Sequence, residues 1–127
     1  ANHRFLICLA TTGEIIGHIS LGNIVRGCFL SCYTGYWLAK PHTGRGLMTE
    51  ALGLALGHAF TVLDLHRVEA NIIPTNRASL SLVKRCGMRY EGTAKRYLRI
   101  NGRWRDHEHW AITAEEWRAR PAPSPRR

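Results

Sequence analysis

The sequence predicts a mixed α/β (α+β) domain, with a mostly antiparallel sheet that contains one parallel pair of strands. Two observations carry this prediction. Three apolar segments separated by turn residues precede the first helical segment, an order typical of an antiparallel meander. A strand, a helix and a second strand then follow between residues 31 and 73, the unit that forms one right-handed parallel crossover.

The first three strands are predicted at residues 4–9, 14–24 and 31–39. Turn residues between the first two strands support these limits. Pro41 ends the third strand, because proline has no N–H to donate to a neighbouring strand.

A helix is predicted from residue 47 to about residue 63. Its apolar positions fall on one face with α-helical spacing, and they are Met48, Leu52, Ala55, Ala59 and Val62. Gly53 and Gly57 lie inside this helix, where each costs about 1 kcal/mol relative to alanine. We interpret these glycines as a sign that the helix packs closely on the sheet.

A strand at residues 67–73 and a helix through about residue 85 are predicted next. Asn76 is the expected N-cap of that helix, since its side chain can accept from a free backbone N–H. Gly87 fits the left-handed residue that commonly ends a helix.

The last elements are strands at residues 88–100 and 103–113, joined by Asn101-Gly102, a strong hairpin signal. Thr113 is a capping-box candidate for a short helix. The basic, proline-rich segment 118–127 is expected to be a disordered tail.

Length and composition restrict the class of protein. A chain of 127 residues forms one domain with one core, and 45% hydrophobic and 21% charged residues are typical of globular domains. No apolar segment reaches the roughly 18 residues of a membrane span, so no membrane partner is expected. The formal charge of +9 favours anionic partners such as nucleotide phosphates, RNA or a ribosome surface, although it also serves plain solubility.

Four cysteines lie in apolar contexts without the paired spacing of a metal site. They are Cys8, Cys28, Cys32 and Cys86. We interpret them as buried thiols in a reducing cytoplasm, with a disulfide or a zinc site as the alternatives.

The segment Thr43-Gly44-Arg45-Gly46 follows a predicted strand and precedes the long helix. The start of a helix has unpaired N–H groups and a partial positive charge, and glycine lets the backbone approach a ligand closely. The segment therefore fits a pyrophosphate site, with Arg45 adding positive charge. A plain tight turn is the alternative; no Gly-Lys-Ser/Thr follows, so the segment is not a P-loop.

Three longer segments resemble the GNAT superfamily of N-acetyltransferases, and most of all its branch that acetylates ribosomal-protein N-termini at serine or alanine. These segments are GYWLAKPHTGRGLMTEAL (35–52), HRVEANIIPTNRASLSLVKRCGMRYEG (66–92) and YLRINGRWRDHEHWAITAEEW (97–117). Gly46 matches the fourth position of the superfamily's phosphate loop. Thr43 and Met48 depart from its first and sixth positions, which weakens the side-chain part of phosphate binding.

The resemblance implies a three-layer sandwich in which two central parallel strands splay apart, with pantetheine lying between them. It implies an acetyltransferase domain at residues 1–117. The superfamily's first strand and first two helices have no counterpart before residue 1, so we expect roughly the first third of the domain to be missing.

The resemblance implies acetyl-CoA as cosubstrate and no metal. The residues expected to contact acetyl-CoA are Gly44, Arg45, Gly46, Leu47, Met48 and Thr49 at the phosphate turn, the backbones of Trp37 and Leu38, and the side chains of Asn76 and Ser79. Asn76 can serve as helix cap and cofactor contact at once.

Three catalytic residues are carried over. Glu69 is the expected general base, with an exposed strand residue or a salt bridge as the alternative. Ser79 matches a serine that contacts or protonates the leaving sulfur, and a surface helix position is its alternative. The acid tyrosine of some relatives is Val83 here, which leaves Tyr97 as a substitute, and Arg96 stands where serine-acetylating relatives have a carboxylate.

The segment Asp106-His107-Glu108-His109 invites a metal interpretation. On a strand only His107 and His109 share a face, and two histidines make an incomplete site. We therefore expect a solvated strand here.

The resemblance implies transfer of an acetyl group from acetyl-CoA to a primary amine, with a protein N-terminal α-amine favoured over a small amine. Transfer is expected to be direct, so Cys32 and Cys86 should be bystanders. The alternatives are a catalytically degenerate CoA-binding domain and a basic ribosome- or RNA-associating module. A ribosomal protein is a candidate partner, and a homodimer is left open.

Overall fold

A computed structural model describes residues 2–44 and 46–121 of the chain. In this part of the chain six strands form a single sheet in the order β1-β2-β3-β4-β6-β5, accompanied by three α-helices. The elements are β1 (His3–Cys8), β2 (Ile15–Val25), β3 (Ser31–Leu38), α1 (Leu47–Thr61), β4 (Arg67–Ile72), α2 (Arg77–Arg85), β5 (Arg89–Ile100), β6 (Arg103–Thr113) and α3 (Ala114–Ala119). A short 3-10 turn (Lys40–His42) precedes α1.

The predicted order of elements and the predicted mixed sheet are both confirmed. Strands β1, β2 and β3 form an antiparallel meander, and β4, β6 and β5 continue the sheet in antiparallel pairs. The parallel pair is β3 with β4, connected through α1. The crossover therefore brings the end of β3 and the start of α1 to the centre of the sheet.

The parallel pairing between β3 and β4 is short. Their register runs from Ser31 opposite Arg67 to Tyr33 opposite Glu69, and no further pairs follow. Strand β3 continues to Leu38 and β4 continues to Ile72, so the two strands part in the middle of the sheet. This is the splay that the resemblance implied.

The hydrophobic core lies on one face of the sheet. Leu52, Leu56 and Phe60 of α1 pack there with alternate residues of β4, among them Val68 and Ala70. Residues of α2 and α3 join the same cluster. The described helices therefore cover one face, which gives two of the three predicted layers.

The other face of the sheet is not covered by the described residues. The indole of Trp37, on β3, is 57% exposed there. Glu69, between the core residues Val68 and Ala70, points its side chain to this open face because neighbouring strand residues alternate.

Two expectations for α1 were wrong. Val62 is exposed because α1 ends at Thr61, while Leu56 and Phe60 take the core positions. Gly53 does not mark close packing, since a β-carbon there would meet nothing within 4 Å. At Gly57 a β-carbon would lie 3.3 Å from Cζ2 of Trp117, so the close contact is with α3 and not with the sheet.

The predicted caps and hairpin are confirmed. Asn76 Oδ1 accepts from the Ser79 N–H at 3.2 Å, and Thr113 forms a capping box with Glu116. Asn101 and Gly102 both have positive φ, as a tight hairpin turn requires. Helix α3 extends two residues into the predicted tail, because its capping box starts a full helical turn; residues 122–127 of that tail lie outside the described residues.

The expectation that all four thiols are buried was wrong for two of them. Cys32 is buried in the core and Cys86 is half-buried, but Cys8 and Cys28 are exposed. Cys8 ends the edge strand β1, and Cys28 lies in the turn between β2 and β3, where little can cover a side chain. Within the described ranges no helix is both long enough and apolar enough to cross a membrane.

Leu52→Ala should destabilise the fold by about 2–5 kcal/mol, because it removes a fully buried side chain that packs between α1 and the sheet. Leu54→Ala is the matched control, since Leu54 lies on the same helix but is 72% exposed, and it should change stability by less than about 0.5 kcal/mol. Urea unfolding of both variants measures the difference. Equal losses of unfolding free energy in the two variants would mean that Leu52 is not a core position of α1.

Candidate functional site

The N-terminus of α1 is open to a ligand. Gly46 is its N-cap with φ 74°, and Gly44 has φ 77°, a backbone conformation that favours glycine. The Glu50 N–H donates to the Gly46 carbonyl at 3.1 Å, so the N–H groups before Glu50 lie in the unpaired first turn of the helix. A β-carbon at either glycine would meet nothing within 4 Å, which leaves room for an anion beside these amides.

A cleft of about 580 Å³ lies between the end of β3, the start of α1 and α2. Its lining residues are Tyr36, Trp37, Leu38, Thr43, Gly44, Gly46, Leu47, Met48, Thr49, Asn76, Ala78, Ser79, Leu82 and Arg85. The cleft brings together every predicted cofactor contact that the structure describes. Arg45, the remaining one, lies outside the described residues.

Arg85 is a cleft residue that sequence reasoning missed. It is at the end of α2, and its Nε donates to Thr49 Oγ1 at 3.2 Å, which fixes the guanidinium beside the first turn of α1. A cation beside unpaired amides strengthens an anion site. Only the packing of α2 against α1 reveals this position, since the two residues are 36 positions apart in sequence.

Tyr36 is the second residue missed from the sequence. Its hydroxyl is hydrogen-bonded to Oγ of Ser79, and burial raises the pKa of this tyrosine above its ordinary value. Ser79 is itself buried, so it is not a surface helix residue. The alternation of β3 could have placed Tyr36 on the helix face, but not next to Ser79.

Glu69 lies on the opposite face of the sheet from Ser79. Its side chain is 21% exposed, and Arg67 Nη2 donates to Glu69 Oε1 at 3.4 Å. Tyr33 is its register partner on β3, in the last pair before the strands part. The salt-bridge alternative for Glu69 is therefore real, and the same carboxylate borders the gap in the sheet.

Tyr97 is on the same open face as Glu69. Burial, and then the charges of Glu69 and Tyr97, raise the pKa of the Tyr33 hydroxyl, which places all three groups in one cluster. The Tyr97 ring also meets His109 edge-on, with 4.8 Å between ring centroids. The predicted catalytic residues therefore form two groups, with Ser79 on the helix face and Glu69 and Tyr97 on the open face.

A chain of ion pairs extends from Glu69 to the C-terminal helix. Arg67 contacts both carboxylate oxygens of Glu91, and Arg89 Nη1 donates to Glu91 at 2.7 Å. Arg89 Nε also donates to Glu116 at 2.6 Å. Hydrogen bonds from Arg67 and then Arg89 lower the pKa of Glu91 to about 2, so Glu91 stays ionised and holds Arg67 in place beside Glu69.

The expectation of a solvated strand at residues 106–109 was wrong for His107, which is 3% exposed. The Tyr97 ring packs near it, 5.9 Å between centroids, and the Arg105 carbonyl accepts from His107 Nδ1 at 3.0 Å. His109 Nδ1 is hydrogen-bonded to Asn71 Oδ1. Among the described residues no three His, Cys, Asp or Glu side chains are grouped as a metal site would need.

The two inner cysteines are poor nucleophiles. Burial raises the pKa of Cys32 to about 12 and that of Cys86 to about 11. Because the thiolate is the reactive form, both sulfurs are inert near neutral pH. This agrees with chemistry that passes no acyl group through cysteine.

The chain belongs to the GNAT acetyltransferase family. The family described as "Acetyltransferase (GNAT) domain" matches residues 1–89. This range contains the central splay between β3 and β4 and the glycine turn before α1. The resemblance drawn from the sequence motifs is thereby confirmed.

Particular relatives point to one branch. The chain is 44% identical over 104 residues to the ribosomal protein uS5-alanine N-acetyltransferase of Escherichia coli, covering 82% of this chain and 54% of that protein. It is 41% identical over 110 residues to the probable N-acetyltransferase YjcK of Bacillus subtilis, covering 87% of this chain and 61% of that protein. A solved structure, Mycobacterium smegmatis RimJ in complex with CoA-disulfide, superposes with a TM-score of 0.80 at 46% identity, covering 82% of this chain and 50% of that one. The chain thus spans between half and two thirds of the length of these relatives.

The ion pairs of Glu91 should make the stability of the fold depend on pH. Because the pKa of Glu91 is lowered, its carboxylate stabilises the fold fully at pH values above its ordinary pKa of about 4.5. This contribution disappears as the pH falls towards the lowered pKa of about 2. Glu91→Gln should therefore lower the unfolding midpoint at neutral pH and lose this effect near pH 2.

Thermal melts of the wild-type chain and Glu91→Gln across this pH range measure the effect. Glu14→Gln is the matched control, since the Glu14 side chain is 60% exposed and lies in the turn between β1 and β2, at the opposite edge of the sheet from β5. A constant gap between wild type and Glu91→Gln at every pH would contradict the prediction.

Proposed function

We propose that this chain forms the acetyl-CoA-binding and catalytic part of an N-acetyltransferase that acts on a primary amine. The observation that carries the proposal is the cleft at the N-terminus of α1, which opens beside the gap between β3 and β4. A ligand with a diphosphate at one end and a thioester at the other matches a site with anion-binding amides at one end and a sheet opening at the other.

The residues of the cleft fit coenzyme A. The amides of Leu47, Met48 and Thr49 would bind the diphosphate, with Arg85 supplying the nearby positive charge that Thr43 does not. Beyond Tyr33, the edge of β3 that faces β4 has no strand partner. Backbone groups of Trp37 and Leu38 on this strand would then pair with the amide groups of the pantetheine arm, as an added strand would.

Glu69 would serve as the general base. It borders the gap in the sheet from the open face, where an amine acceptor can approach. Its carboxylate would accept a proton from the ammonium group and release it to solvent, and the free amine nitrogen would then form a bond to the thioester carbonyl carbon and lose its second proton to the same carboxylate. The carbon–sulfur bond breaks in the same transfer, so the sulfur leaves as a thiolate that needs a proton.

Ser79 and Tyr36 would supply that proton from the helix face. The Ser79 hydroxyl lines the cleft and is hydrogen-bonded to Tyr36, whose raised pKa keeps it protonated. We assign Tyr97 to the acceptor side, since it shares the open face with Glu69 and Tyr33. Asn76 caps α2 at the mouth of the cleft and remains a proposed contact of the pantetheine arm.

The favoured acceptor is the N-terminal α-amine of a ribosomal protein. The E. coli relative is named a ribosomal protein uS5-alanine N-acetyltransferase, and its identity to this chain is 44%. A ribosomal acceptor would place the reaction in the cytoplasm, where the exposed thiols of Cys8 and Cys28 would stay reduced. Small amines and self-association into a homodimer remain alternatives for the acceptor and the assembly.

A CoA-binding domain without catalysis is the second candidate. Arg67 already contacts Glu69, and Val83, at the position of the acid tyrosine in some relatives, is fully buried and has no proton to give. In this alternative the cleft binds CoA but Glu69 has only a structural role.

Gly46→Ala should weaken CoA binding about tenfold. An alanine at φ 74° costs roughly 1–2 kcal/mol, and relaxing that strain turns the first amides of α1 away from the diphosphate. Gly53→Ala is the matched control, because it also meets nothing within 4 Å but has ordinary helical geometry; it should stabilise α1 and leave affinity unchanged. Isothermal titration with CoA compares the two, and equal affinities would argue against this binding site.

Glu69→Gln should lower kcat by roughly 10²- to 10⁴-fold, the usual loss when a general base is removed. Stabilisation of the fold by acetyl-CoA in thermal melts should stay the same, since Glu69 does not line the cleft. Thiol release with an N-terminal ribosomal-protein peptide measures turnover. Full activity of the variant rules out Glu69 as base, whereas a wild-type chain that binds acetyl-CoA without turnover favours the second candidate.

A further inference from the structure

The tip of the β5–β6 hairpin carries a concentrated positive charge. We call residues 95–105 the basic hairpin; five of its eleven residues are Lys or Arg, and none is Asp or Glu. The five are Lys95, Arg96, Arg99, Arg103 and Arg105. They fall into two short sequence segments, and pairing of the two strands brings these segments together at one end of the sheet, with side chains on both faces.

An exposed tryptophan lies within this charge. Trp104 is 61% exposed, and the strand register places it directly opposite Arg99 on the same face, whereas Arg103, the preceding residue of β6, projects from the other side of the hairpin. Directly opposite residues on paired strands have β-carbons about 5 Å apart, so the Arg99 guanidinium can reach the ligand that contacts the indole. Within the described ranges neither Arg99 nor Arg103 has an ion-pair partner, whereas Lys95 is paired with Asp106 at 3.2 Å.

This combination matches the chemistry of single-stranded nucleic acid. Phosphates bind to arginines and release their counterions, and unpaired bases stack on exposed aromatic rings. An acidic peptide would use the charge but has no requirement for the indole. A second copy of this chain is disfavoured, because a two-fold contact between hairpins would set like charges against each other.

We propose that the basic hairpin is a contact surface for single-stranded RNA, with Trp104 stacking on a base and Arg99 and Arg103 binding the flanking phosphates. The choice of RNA over DNA rests on the proposed function, since a ribosomal acceptor is presented beside RNA. By strand alternation Trp104 shares a face of β6 with the core residue Trp110, whereas Tyr97 packs against His109 on the opposite face. RNA stacked on Trp104 would therefore lie at the tip of the hairpin on the helix face of the sheet.

The test is binding of a fluorescein-labelled single-stranded RNA of mixed sequence, followed by fluorescence anisotropy over a salt series. Arg99→Gln combined with Arg103→Gln should reduce the slope of log affinity against log salt by about 1.4, from roughly 0.7 for each phosphate contact. Trp104→Ala should weaken binding roughly 5- to 100-fold and leave the slope unchanged.

Arg4→Gln combined with Arg118→Gln is the matched control, because it removes the same charge from exposed positions on β1 and α3. This control should change affinity far less than the hairpin pair. Equal effects of the two pairs, a Trp104→Ala variant that binds like wild type, or tighter binding to DNA of the same sequence would each overturn the proposal. Competition by polyglutamate as strong as that by RNA would also overturn it.

Photo-crosslinking of the wild-type chain with RNA that contains 4-thiouridine gives a readout that needs no variant. Crosslinks should map to the basic hairpin, and crosslinks confined to other segments contradict the proposal. Both RNA assays are independent of acetyl transfer. A chain that binds RNA here without turnover therefore refutes the proposed function alone, and a chain with turnover that ignores RNA refutes this proposal alone.

Discussion

The short parallel pairing between β3 and β4 is the constraint on which the site depends. After Tyr33 and Glu69 the two strands part, so the edge of β3 loses its backbone partner inside the sheet. Unpaired backbone groups are costly unless a ligand or water satisfies them. The gap also lies next to the unpaired amides of α1, because the crossover helix starts just beyond the end of β3. One topological feature thus leaves both an unpaired strand edge and unpaired helix amides, the two parts of the proposed CoA site.

The same gap divides the chemistry between two faces of the sheet. On the helix face, the hydrogen bond between Tyr36 and Ser79 places a buried hydroxyl pair in the cleft. On the open face, Glu69 lies in a cluster with Arg67 and Tyr33. In the proposed function the proton acceptor, Glu69, and the proton donors, Ser79 and Tyr36, therefore lie on opposite faces of the sheet. A substrate amine and a CoA thioester could meet there without crossing each other's path.

The charge network around Glu69 holds Arg67 in place. Glu91 holds Arg67 through both carboxylate oxygens, and Arg89 connects Glu91 to the capping box of α3. A guanidinium fixed in this way has a constant position relative to Glu69, which a single surface ion pair would not give. The basic hairpin is the far end of β5 and β6, so these two strands carry both paired and exposed positive charge.

Local chemistry in the sequence determined the order of elements, the caps at Asn76 and Thr113, the Asn101-Gly102 turn and the glycine turn before α1, because each depends on residues close together in the chain. Periodicity also gave the extent of α1, although not which of its residues are buried near the end. Tertiary structure alone decided the contact of Arg85 with Thr49, the pairing of Tyr36 with Ser79, the burial of His107 and the ion-pair chain. These contacts join residues on different elements, and their geometry follows from the packing of helices on a splayed sheet, which no local pattern encodes.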